Sequence, residues 1–223
     1  MASTKINTKK KNILDDNIII SLYMEYVQKN NLEPKNIYIF CKEHEIEEID
    51  FYSFFGSFDG IKQSIWNKFL ENTIVTIDKD EAYILYSDKD KLLTLFFTLF
   101  EILTLNRSYV LYTLKENKQG FKNLKDLKEF RNHFKDFINT NVNSGGINTI
   151  GKLDKITKPM YAEGAWIQFL FILKFWIEDT SKGFEKTDVM IEKSVNTAVD
   201  LLNTKPLESL IDLGKFLWNE KKM

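Results

Sequence analysis

The first limits on this 223-residue chain come from what it holds little of. There are 3 prolines (Pro34, Pro159 and Pro206) and 9 glycines. Breakers this sparse leave long uninterrupted segments, which favours helices over a turn-rich β fold. The one cysteine, Cys41, rules out an internal disulfide and suits a reducing compartment, so a cytoplasmic location is expected. With only His44 and His133 beside it, a zinc site of the usual nitrogen-and-sulfur kind cannot be assembled within one chain. A dominant charge is also missing: 31 basic residues oppose 32 acidic ones, a formal net charge of −1. The chain as a whole therefore has no pull toward nucleic acid or an acidic membrane. The two most apolar stretches, Leu92 to Leu105 and Ala165 to Ile177, fall short of the roughly 20 residues a bilayer span needs. Each also carries a charge, Glu101 and Lys174, so no membrane span is expected. The opening MASTKINTKKKN has no apolar core of a secretory signal. No nucleophile elbow, Walker loop or HExxH is present, so neither an enzyme nor a cofactor is expected. His133, between Glu129 and Asp136, reads as a solvated residue on a charged helix face.

What is there is helical spacing. Residues 1–12 read as a basic tail carrying Lys5, Lys9, Lys10 and Lys11. From Ile13, the positions Leu14, Ile18, Leu22, Tyr26 and Val27 predict a first helix. Ile37, Phe40 and Cys41 mark a short second one. Glu43-His44-Glu45 forms a turn, and Glu47 to Ser53 a short third helix with Ile49 and Tyr52 inward. Gly56 breaks the chain, Ser57 caps, and a long fourth helix runs to Ile77. Further helices are expected from Ser87 to Leu105, Asn106 to Lys115, Phe121 to Val142, Tyr161 to Thr180, Thr187 to Leu202 and Pro206 to Asn219, with Ser87, Asn106 and Thr187 as caps. The stretch NSGGINTIGKLDKITKP reads as the one long loop. The expected fold is all-α with about nine or ten helices: a three-helix helix-turn-helix domain at 13–56, then a larger helical bundle at 57–223.

Three short helices, a long connecting helix and a helical body: this order resembles the TetR family of bacterial one-component regulators. Tyr52, Phe55, Gly56 and Ser57, followed by Asp59 and Ile61, fall at the family's places around the end of the third helix. Phe40 and Cys41 match its apolar-small pair in the second helix, and Ile46 the apolar residue before the third. The stretch KFWIEDTSKGFEKTDVMIEKSV (Lys174 to Val195) looks like the C-terminal domain of a TetR-like group common in Bacteroidota. Two departures stand out. Glu45 replaces the usual turn glycine, and Phe58 replaces the lysine that follows the Gly-Ser pair and contributes to backbone contact. A glutamate in a left-handed turn costs about 1 kcal/mol, so a differently shaped turn is expected there.

The resemblance implies a homodimeric regulator that reads duplex DNA with its third helix and senses a small hydrophobic ligand in its body. In a helix-turn-helix the start of the second motif helix enters the major groove. The DNA-contacting candidates are Lys35, Lys42, Glu47, Glu48, Asp50, Tyr52 and Lys62. The charge runs against that role: Glu43, Glu45, Glu47, Glu48 and Asp50 face only Lys35 and Lys42, while duplex affinity depends on neutralised phosphates. The basic tail and Lys29 are possible compensation. In the body, Glu101, Tyr109, Tyr112 and Gln168 are candidates to orient a ligand resting on Phe97, Phe100, Trp166 and Phe169, and Arg107 is placed to pair with Glu101. The last helices, through Phe171, Phe175, Trp176, Val195, Val199 and Leu202, are candidates for the dimer surface. The alternative is a TetR-fold protein that has lost DNA binding and holds a lipid or other hydrophobic ligand, or serves as an accessory partner of a membrane-lipid enzyme.

Overall fold

The computed structural model describes residues 14–116, 125–142 and 154–202. The chain order is α1 (Asp16–Asn30), α2 (Ile37–Glu43), α3 (Glu48–Tyr52), α4 (Phe58–Ile77), α5 (Asp88–Leu105), α6 (Arg107–Glu116), α7 (Lys128–Phe137), α8 (Asp154–Glu178) and α9 (Glu185–Leu202). Short 3-10 turns at Glu81–Leu85, Lys125–Leu127 and Lys182–Phe184 lie between them, and a π-helical turn, Ile138–Val142, extends α7. The fold is all-α, with no strand among the described residues. No described helix is long and apolar enough to cross a membrane. The basic tail and the helix expected from Pro206 lie outside the described residues.

Local chemistry fixes most helix starts. The side chains of Asp15 and Asn36 accept from the N–H of Ile18 and Ile39, both at 2.8 Å. Ser57 accepts from Gly60 at 3.2 Å and Ser87 from Asp90 at 3.1 Å, as their positions predict. Other expectations fail for identifiable reasons. α8 begins at Asp154, so the loop is shorter than expected and Pro159 lies inside the helix. In α1 the buried residues are Ile19, Ile20, Tyr23 and Val27, a stripe rotated from the expected one. The run Ile18-Ile19-Ile20 supports more than one apolar phase, and Tyr23 can turn inward because its hydroxyl donates to Glu33 at 2.7 Å. Phe51 in α3 and Phe55 just after it are buried, while Ile49 and Tyr52 point out. The two phenylalanines, four residues apart, offer a larger apolar face than the isoleucine.

The chain divides into two compact units. One contains the described residues 14–65, 108–116 and 125–126, the other 66–107, 127–142 and 154–202. The second is packed around aromatic rings. The Phe169 ring lies 5.2 Å from both Phe130 and Trp166, 5.7 Å from Phe134 and 5.9 Å from Phe100. Its helix ends are joined at Arg107. The guanidinium donates to the carbonyls of Trp176 (2.9 Å), Ile177 (3.1 Å) and Asp179 (3.3 Å) at the end of α8. It lies over the Trp176 ring at 4.3 Å and the Phe184 ring at 4.4 Å. A cation there satisfies the last carbonyls of the helix, of which that of Trp176 also accepts from the Asp179 N–H at 3.3 Å, and meets the negative end of the helix dipole. Glu101, expected as the partner of Arg107, is exposed on α5 instead.

Asp179 then starts the next helix, a role expected for Thr187. One carboxylate oxygen accepts from the N–H (2.8 Å) and hydroxyl (2.7 Å) of Ser181. The other accepts from the N–H (3.0 Å) and hydroxyl (2.7 Å) of Thr187. The chain reverses between these bonds at Gly183 and Phe184, with φ of 64° and 62°. Burial by itself would raise the Asp179 pKa; the bonds from Ser181 and Thr187 outweigh it and hold it at about 2. A carboxylate depressed in the folded state stabilises the fold fully above its ordinary value of 3.8, and that contribution disappears as pH falls toward 2. Asp179→Ala should cost about 2–4 kcal/mol in urea unfolding, since it leaves buried Thr187 donors unpaired. Asp179→Asn should flatten the acid limb of the stability profile between those two pH values.

Candidate nucleic-acid interface and ligand site

The three-helix head is organised around the Phe40 ring. His44 lies 4.7 Å from it, Phe58 5.8 Å, Phe51 6.1 Å, and Tyr23 and Tyr26 6.4 Å each. Phe58, at the family's lysine position, stacks on Tyr23 at 5.5 Å. An expected phosphate contact has thus become part of the core. Burial lowers the His44 pKa, against the raising charges of Glu43 and Glu25, and its Nε2 has no hydrogen-bond partner.

The turn keeps its left-handed shape despite the missing glycine, contrary to the expectation of a different geometry. Glu45 has a φ of 56°. The N–H of Ile46 donates to the carbonyl of Cys41 at 2.9 Å, and that of His44 to Phe40 at 3.2 Å. The first of these closes a Schellman-type helix end, with Ile46 supplying the apolar residue just past the turn. The backbone shape is therefore held by hydrogen bonding and by the buried faces of α2 and α3.

The face this turn presents is acidic and apolar. Glu43, Glu45, Glu47 and Asp50 are exposed and Glu48 is half-buried. Ile49 is 75% exposed, Tyr38 55%, Tyr52 51% and Phe54 42%. Tyr38, Ile49 and Phe54 are members of this face that spacing alone does not mark; the readable signal is the Phe51–Phe55 pair, which fixes the inward side of α3. Of the candidate lysines, Lys35 is exposed and Lys42 lies 5.9 Å over the Tyr38 ring. Lys62 has its side chain only 15% exposed and is ion-paired with Asp59 at 2.9 Å and Glu33 at 3.3 Å. Burial opposes its charge, but Asp59 and Glu33 raise its pKa. Asp59 is held at about 2 by its bonds to Lys125, at 2.6 Å, and to Lys62. Lys62 is thus enclosed by carboxylates of its own unit.

The candidate ligand residues are distributed as follows. Phe100, Trp166 and Phe169 come together in the buried ring cluster of the second unit. Phe97 is 37% exposed and Glu101 is exposed on the outer side of α5. Gln168 donates to the Ser194 hydroxyl at 3.0 Å. Tyr109, buried, and Tyr112, half-buried, belong to the first unit. Of the candidate dimer residues, Trp176 and Val195 are fully buried within the chain, and Trp176 donates to the Thr104 hydroxyl at 3.0 Å. Phe171 is 55% exposed and shares an outward stripe of α8 with Met160, Gly164 and Ile167.

A family model described as the tetracyclin repressor-like C-terminal domain matches residues 91–217, more than half of the chain. No curated protein matches it. Because Glu45 adopts a conformation that glycine takes without cost, Glu45→Gly should stabilise the head by about 0.5–1 kcal/mol in chemical denaturation, whereas Glu45→Ala should not.

Proposed function

The chain belongs to the tetracyclin repressor-like family, and from that membership we propose a homodimeric, ligand-responsive transcriptional regulator of the cytoplasm, without enzymatic activity, whose head engages duplex DNA. The observation that supports this reading is the left-handed turn between α2 and α3 at Glu45, the shape a helix-turn-helix would use, adopted although no glycine is there to favour it. In this reading the cost of holding a glutamate in that conformation is accepted because the head is used. Ligand in the body would bias the arrangement of its helices, and α4 is the covalent connection through which the head would respond. Two heads must then lie about one DNA turn apart, roughly 34–36 Å, to occupy successive grooves.

The α3 face lacks the positive charge that duplex binding needs, so the basic tail becomes the main source of phosphate neutralisation. Lys5, Lys9, Lys10 and Lys11 would supply it, with Lys35 and Lys42 beside the groove. The outward stripe of α8 supports the dimer. Met160, Ile167 and Phe171 are each more than half exposed, and Val189 of α9 is 48% exposed. Gly164 lies within that stripe, and a Cβ there would meet nothing within 4 Å inside the chain.

A second reading is favoured by the exposed Ile49, Tyr52 and Phe54 among carboxylates. In it, the head keeps its fold and has lost DNA, and the protein binds a hydrophobic ligand or serves as an accessory partner of a membrane-lipid enzyme.

Genomic pull-down followed by gel shift should find a specific duplex whose affinity falls steeply with salt. Deleting residues 1–12 should weaken it and reduce the salt slope by up to about 3–4, one phosphate contact per lysine. No specific binding at any salt concentration would leave the second reading standing. For the dimer, light scattering should give twice the chain mass at micromolar concentration, and Phe171→Glu should shift the protein to monomer while leaving its helicity intact.

A further inference from the structure

The outward face of α3 has an apolar centre and a charged rim, and nothing among the described residues covers it. Phe51 fixes the inward side of the helix, so Ile49, two residues earlier, stands near the opposite crown and is 75% exposed. Tyr52 and Phe54, close by in the chain, are exposed as well. Around them Glu43, Glu45, Glu47 and Asp50 are exposed, and none of the four has a hydrogen bond or ion pair among the described residues. Lys42, the nearest lysine in sequence, lies over the Tyr38 ring instead.

Such a surface is complemented by a segment that places lysines around an apolar side chain. A second copy of this face, or an acidic membrane, would bring like charge against the rim. The chain itself carries a fitting segment. Residues 1–12 hold Lys5, Lys9, Lys10 and Lys11, no acid, and Ile6 beside the first lysine. We propose that this N-terminal segment docks on the α3 face of its own head, its lysines pairing with Glu45, Glu47 and Asp50 and Ile6 seated against Ile49 and Tyr52.

The distances allow it. The His44 ring lies 6.4 Å from that of Tyr26, so the turn between α2 and α3 sits beside α1 about 18 Å along the helix from Leu14, near which the segment joins the head. An extended chain covers about 3.3 Å per residue, so Lys9 reaches about 17 Å from Leu14 and Lys5 about 30 Å, before their side chains are counted. On so short a tether the segment meets the face at an effective concentration in the millimolar range, and a contact too weak to join separate molecules is populated. Docking requires neither DNA nor ligand and holds under either reading of the head. With duplex DNA as the target, it keeps the lysines beside the groove-facing helix, where phosphates take them over from carboxylates.

The test is zero-length carbodiimide cross-linking of the full-length protein, freed of nucleic acid and mapped by mass spectrometry. Mixing unlabelled and isotope-labelled chains separates links within one chain from links between copies. Links from the four lysines to Glu45, Glu47 or Asp50 of the same chain should dominate those the segment makes. Their yield should fall about threefold or more at about 1 M salt, where the Debye length is about 3 Å. Ile49→Ser, which leaves every carboxylate in place, should lower it about twofold or more by removing the apolar contact. As an independent readout, the backbone amide resonances of residues 45–54 should shift when residues 1–12 are deleted. Links confined to Asp15 and Asp16 at the root of the segment, links spread evenly over the exposed carboxylates, or links between copies only would overturn the proposal. So would a yield unaffected by salt or by Ile49→Ser, or resonances of residues 45–54 that stay in place after the deletion. A failed gel shift alters none of these results, so docking and DNA binding fail separately.

Discussion

The second unit depends on one guanidinium at a helix end. A 25-residue helix such as α8 finishes with carbonyls left over at its last turn, where Trp176 is buried, Ile177 half-buried and Glu178 exposed. Arg107 meets that constraint with one flat group. Its N–H donors take the carbonyls of Trp176, Ile177 and Asp179, and its flat group packs against the rings of Trp176 and Phe184. Its position directly after α5 ties that junction to the far end of α8, and Asp179 carries the connection into α9. A lysine could supply the charge but neither the fork nor the flat faces.

The same principle explains which parts of the fold were legible. Helix starts capped from within a few residues, at Asn36, Ser57 and Ser87, can be read from the chain because donor and acceptor are neighbours in sequence. Arg107 and Asp179 act across distances in the chain that spacing does not encode, and there the expected partner, Glu101, and the expected cap, Thr187, were displaced by better-placed groups. Registers failed where the apolar pattern had more than one solution, as in the isoleucine run of α1. They failed in α3 because the larger aromatic pair prevailed over Ile49 and Tyr52. Lys62 was a DNA candidate although Asp59, three residues before it on α4, and Glu33, in the connection between α1 and α2, both hold it. The ligand candidates were chosen for being polar within apolar runs. That criterion does not distinguish a helix's inner side from its outer one, so it joined the exposed Glu101 to the buried rings.

In the head, shape and surface have separate supports. The Phe40 ring and its five aromatic neighbours hold α1, α2, α3 and the start of α4 in place, and the turn at Glu45 is closed by backbone hydrogen bonds. None of these interactions involves the outward side chains of α3.

That separation bears on how the head can change over evolutionary time. Phe58 packs into the ring cluster with Tyr23, Phe40 and Phe51, so the scaffold is largely insulated from whatever the outer face contacts. Glu47, Ile49, Asp50 and Phe54 are open to replacement one at a time while the stability of the domain stays nearly constant, whereas Tyr52, whose ring lies 5.6 Å from that of buried Phe51, is partly tied to the core. A head built in this way is a frame whose outer surface can vary without first being compensated elsewhere.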